Sequence, residues 1–121
     1  MSSRVHMVQD GHSNVAIIAS GMVEEGDTIL PLTNITAMKP LPSSLRIDKI
    51  HFAVEAGINA RLFWEGGNLI APLEGKGSMD FGWMGGVPAP EDDAITGNLV
   101  LVMKSTEKRA FMIALDLTKR T

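Results

Sequence analysis

The chain has 121 residues, of which 45% are hydrophobic and 21% charged, and its net charge is −3. That size and balance suit one globular domain built around a single core, and the lack of a basic excess argues against a nucleic-acid partner. There is no cysteine, which excludes disulfides, thiolate metal sites and cysteine nucleophiles and leans towards assembly in a reducing cytoplasm.

Residues 1–13 are polar and read as an extended N-terminal arm, with one domain over 14–121. The arm has no hydrophobic h-region, so no signal peptide is expected. No apolar run, Val15 to Ala19 included, is long enough to span a bilayer, so no membrane partner is expected. "NVAIIAS" is a short β-branched strand, and "GDTILPL" and "TNITAMK" read as strands broken by Pro31. Pro40 and Pro42 mark a connector, since each biases its neighbour away from helix.

Period-two alternation becomes clear in "LRIDKIHFAVEA". Ile50, Phe52 and Val54 face one way and His51, Ala53 and Glu55 the other. Leu45 and Ile47 are out of phase with that set, and a bulge near Asp48-Lys49 restores the register. Ala56-Gly57 is a tight turn into "INARLFWE", where Ile58, Ala60, Leu62 and Trp64 share a face. Gly66-Gly67 turns the chain into "NLIAPLEG", whose Pro72 suggests an edge or a strand end. Near the end, "GNLVLVMK" is apolar on both faces and so reads as a central strand. "STEK" then joins it, as a hairpin, to "RAFMIALDLTKR", which turns Phe111, Ile113, Leu115 and Leu117 inward. Seven or eight short strands with glycine turns predict an all-β sandwich. The jelly roll is the favoured variant, and other Greek-key sandwiches fit the same pattern.

Catalytic and ligand motifs are weak throughout. His6, Asp10 and His12 are metal-ligating types, but an arm offers no rigid frame and a solvated segment is the plainer reading. His51 lies on a polar strand face. Glu91-Asp92-Asp93 lacks the alternating donors of a Ca²⁺ loop and reads as a loop or one helical turn. Glu74 and Asp80 carry no spacing that specifies a glycosidase pair. No serine sits in G-x-S-x-G, Gly75-x-Gly77 has no following helix or P-loop lysine, and Asn34-Ile35-Thr36 matches a glycosylation acceptor by letter only. The chain is therefore expected to be no enzyme, with no cofactor and no metal.

One stretch stands apart: "GSMDFGWMGGVPAPEDDAITG", residues 77–97. Its glycines and prolines forbid helix, and its large apolar side chains argue against disorder. Phe81, Trp83, Met84 and Val87 either close a lid over one end of the sandwich or form a partner interface, with Trp83 as the anchor and Trp64 as a further interface candidate. In extended backbone the Phe81 and Trp83 rings point to the same side. A second reading takes Trp64 and Trp83 as stacking platforms of a carbohydrate- or peptide-binding sandwich.

The blocks "LRIDKIHFAVEAGINARLFWEGG", "LEGKGSMDFGWMGG" and "ITGNLVLVMKSTEKRAFMIALDLTKR" together resemble the small capsid decoration, or cement, proteins of tailed phages. The resemblance covers roughly residues 44 to 120 and leaves the N-terminal third loosely matched. It implies a β-sandwich or jelly roll on the outer surface of a virion head, assembled in the bacterial cytoplasm, without enzymatic activity. Its implied partners are the major capsid protein and further copies of itself, as a homodimer or homotrimer. A neck or tail position in the virion is the neighbouring alternative.

Overall fold

Ten strands follow from the alternation in the computed structural model, which describes residues 2–39, 42–90 and 97–120. They are β1 (Ser2–Asp10), β2 (Asn14–Val23), β3 (Gly26–Pro31), β4 (Ser44–Val54), β5 (Ile58–Trp64), β6 (Leu69–Leu73), β7 (Lys76–Asp80), β8 (Val87–Pro88), β9 (Leu99–Ser105) and β10 (Arg109–Arg120). The larger sheet has the order β1-β2-β10-β4-β7, with the short β8 also paired to β4, and the smaller has the order β3-β9-β5-β6. Every pairing is antiparallel. From β2 onward the chain crosses repeatedly between the two layers. With β1 and β8 set aside, the eight remaining strands have the two four-stranded sheets and the order of a jelly roll.

The core lies between the sheets. Ile50, Ile113 and Leu115 project from the larger sheet, and Leu62, Leu101 and Met103 from the smaller, all fully buried. Each such side chain contributes roughly 1.5–3 kcal/mol through burial. The phase change in β4 is a bulge: Asp116 pairs with Lys49 and Leu117 with Ile47, which leaves Asp48 without a partner residue. Leu45 and Ile47 thereby return to the inner face with Ile50 and Phe52, as the sequence pattern required. Asp48 is held by its own contacts, accepting hydrogen bonds from Arg46 Nε at 3.0 Å and from the Thr118 hydroxyl.

Three expectations change. β9 and β10 are no hairpin, because β9 pairs with β3 and β5 in one sheet while β10 pairs with β2 and β4 in the other. The three residues 106–108 span the roughly 10 Å between packed layers as readily as they reverse a chain within a sheet. The tight turn at Ala56-Gly57 is likewise a corner, since β5 pairs with β9 and not with β4. "TNITAMK" is no strand: Ile35–Ala37 form a 3₁₀ turn, with Ile35 buried.

The N-terminal arm is extended, as expected, but it is an edge strand paired to β2 through the Gly11 turn. Asp10 at its end accepts from Lys119 Nζ at 2.5 Å and from the backbone N–H of Lys39 at 3.1 Å. The Lys119 side chain is only 2% exposed and also donates to the Lys39 carbonyl at 2.9 Å. The Lys119 ammonium, and after it the Lys39 N–H, hold the Asp10 carboxyl below its ordinary pKa.

Candidate functional site

β7 and β8 lie end to end along the same edge of β4, with residues 81–86 between them. Three sets of bonds shape this link. The Asp80 carboxylate accepts from the Gly82 N–H at 2.8 Å, a local turn typical of aspartate. The Phe81 carbonyl then accepts from Met84 at 3.1 Å and from Gly86 at 2.9 Å, closing a 3₁₀ turn over Gly82–Met84. Finally, the Phe81 N–H donates to the Asp48 carbonyl at 2.8 Å, which ties the turn to the bulge of β4. The result is a knuckle at the edge of the larger sheet.

Its glycines have distinct tasks. Gly85 takes a left-handed conformation, φ +81°, that ends the turn. Gly86, at φ +88°, lies against Arg46, and a Cβ there would come within 2.5 Å of that side chain's Cγ and Cδ. The Arg46 stem therefore braces the knuckle while its Nε holds Asp48.

The turn separates the sequence candidates. Phe81 and Val87 are half-buried against the core. Trp83 is 83% exposed and Met84 52%. The expected same-side arrangement of Phe81 and Trp83 is thus corrected: the 3₁₀ turn replaces extended backbone, so one ring turns in and the other out. Lid and exposed surface are consecutive residues of one element. Trp64 is corrected as an interface or stacking residue, for it is 3% exposed and lies inside the sandwich across from Leu99. The acidic triplet 91–93 and its possible helical turn lie outside the described residues.

The remaining candidates do not converge. Asp10 is engaged by Lys119, and His6, His12 and His51 are exposed. Among the described residues no group of three or more His, Asp or Glu could hold a metal ion. Glu74 precedes β7 and Asp80 ends it, so the length of the five-residue strand, roughly 15 Å, lies between them, too far for a glycosidase pair.

Sequence reasoning missed a second surface, the outer face of the smaller sheet. Register places Pro31, Val100, Phe63 and Leu69 in one row across its four strands, and Ile29, Val102, Arg61 and Pro72 in the next. Ile29 is 68% exposed, and Val100, Val102 and Phe63 are half-buried. Beside them Asp27, Lys104 and Asn59 form a polar row, and this row with Ile29, Val102 and Arg61 lines an open groove of about 430 Å³. The signal was the two-sided apolarity of "GNLVLVMK". It marks a central strand, and among the described residues no layer covers the outer face.

The sequence matches no family model and no curated protein. Among solved structures, the fold is similar to the major capsid protein P2 of bacteriophage PM2, at 20% identity and a TM-score of 0.49, over 88% of this chain and 45% of that one. It is similar also to a cupin superfamily protein of Desulfitobacterium hafniense, at 9% identity and a TM-score of 0.39, over 98% of this chain and 78% of that one. The cupin domain of Schizosaccharomyces pombe Cnp3 gives 10% identity and a TM-score of 0.39, over 97% and 64%. This chain therefore spans less than half the length of the phage capsid protein, and the jelly-roll assignment rests on its own strand order.

Proposed function

We propose that this chain is a non-enzymatic structural protein of a phage virion: a decoration, or cement, protein that binds the major capsid protein on the outer head surface and stabilises the shell. The observation that carries this reading is the braced knuckle, which holds Trp83 and Met84 in water on a backbone fixed by Asp48, Asp80 and Arg46. An exposed Trp on a rigid turn loses little entropy on docking, and large aromatic side chains dominate the centres of protein interfaces. The sequence resemblance to decoration proteins supplies the shell as the surface to be met. The interior supports a structural role, being filled by apolar side chains, with its one buried lysine satisfied by Asp10.

Heads assembled with and without the protein should release their genome at different temperatures. Equal release temperatures, with none of the protein retained on purified heads, would remove the reading. Protein found on purified tails with bare heads would move the role to the neck or tail. The sugar-binding alternative loses one of its two platforms, since Trp64 is buried, and a glycan array is expected to show no binding above background.

A further inference from the structure

Among the described residues, two features on separate surfaces lie uncovered. On the knuckle, Trp83 stands in solvent, and the neighbouring Asp80, which accepts from the Gly82 N–H, has as its ion pair only a loose contact with Lys49 at 3.9 Å. On the smaller sheet, the groove is floored by Val102 and walled by Ile29, with Asp27, Asn59, Arg61 and Lys104 on its rim. Among the described residues Asp27, Arg61 and Lys104 form no ion pair.

The two match chemically. An indole laid on Val102 and Ile29 buries its apolar face, and its N–H can donate to a carboxylate such as Asp27. The Arg61 guanidinium can stack on the ring. The Asp80 carboxylate beside the knuckle is then opposed by the two cations of the rim. We propose that the knuckle of one copy docks into the groove of the next, so that copies of this chain join head to tail. This rests on the reading of the protein as one of many copies on a shell and narrows it: the surface that Trp83 meets there is the neighbouring copy, and contact with the capsid protein falls to other residues.

The contact is heterologous. Knuckle and groove lie on different surfaces, so each copy engages two neighbours at once, and closure into a ring depends on the rotation between them. A docked Trp buries about 150–250 Å², well below the ~800 Å² per partner of a standard stable interface. The contact is therefore weak between free copies and strengthened where a shell aligns many of them.

The full chain is tested by sedimentation velocity. The native protein should associate with rising concentration. Trp83→Ala removes the knuckle and Ile29→Asp the groove, both at exposed positions, and each alone should weaken association about tenfold or more. Arg61→Glu is a second groove variant with the same expected loss. An equimolar mixture of Trp83→Ala and Ile29→Asp should form a 1:1 heterodimer and nothing larger, because one intact knuckle and one intact groove remain. A native chain monomeric up to about 1 mM, a single variant that associates like the native chain, or a mixture that stays monomeric would each overturn the proposal. If the native chain is monomeric yet binds heads, and Trp83→Ala abolishes that binding, the knuckle meets the shell: the head-to-tail contact falls and the cement reading stands. If the heterodimer forms but heads retain no native protein, the contact stands and the cement reading falls.

Discussion

Trp64 and Trp83 are the same side chain put to opposite uses. Trp64 ends β5, where strict alternation with Ile58, Ala60 and Leu62 turns it inward to 3% exposure. Trp83 sits in a 3₁₀ turn, where no alternation applies, and is 83% exposed. Neither outcome follows from hydrophobicity, which is equal for both. Backbone conformation decides which face of the chain a residue occupies, and only then does burial follow. The core around Trp64 is held by many small contacts among apolar neighbours. The knuckle beneath Trp83 is held by a few directed hydrogen bonds and one steric brace.

The largest difference should appear on truncation. Trp64→Ala is expected to cost about 3–5 kcal/mol and to lower Tm by more than 10 °C, roughly scaled from the unfolding entropy of a domain this size. Trp83→Ala, which leaves no cavity, should move Tm by no more than a few degrees. Calorimetry of both variants checks this, and a matching collapse for Trp83→Ala would erase the contrast.

A smaller effect probes the brace. Gly86→Ala imposes a left-handed conformation on alanine and drives its Cβ into Arg46, with an expected cost of about 1–3 kcal/mol by denaturant unfolding. Adding Arg46→Ala should recover the steric part and leave the conformational part. If the double variant is no better than the single, the Arg46 contact is not what shapes the knuckle.

The smallest effect concerns the far edge of the same sheet. Asp10 has a lowered pKa in the folded chain, so its contribution is complete above the ordinary carboxylate value of 3.8 and is lost as pH falls through the lowered one. The protection factors of β1 amides, taken relative to the intrinsic exchange rate at each pH, should therefore fall on acidification before those of β5. Asp10→Asn should abolish this dependence. An acid response of β1 unchanged in Asp10→Asn would assign the effect to another group.

Much of the architecture was legible because alternation is a one-dimensional signal. The bulge at Asp48 could be placed from the phase slip between Ile47 and Ile50 alone. Strand partners were not legible: the loop 106–108 has the same letters whether it reverses a strand or crosses between layers. The knuckle was recognised as exceptional, but its turn depends on the Asp80 carboxylate and the Phe81 carbonyl bonding to specific amides, which spacing cannot specify. The apolar row Pro31–Val100–Phe63–Leu69 draws one residue from each of four strands, so it exists only once register is known.

The central strand of each sheet arrives late in the chain. β9 separates β3 from β5, and β10 separates β2 from β4. Until these two strands have left the ribosome, neither sheet can join its halves, and the inner faces of β2 to β6 stay uncovered. Each sheet is therefore completed only after its late central strand has been made, with long loops to close before any native layer forms. The nascent protein must pass through an interval in which its apolar strands are open to each other and to other chains. The concentration of such incomplete chains then governs how much of the product reaches the native fold.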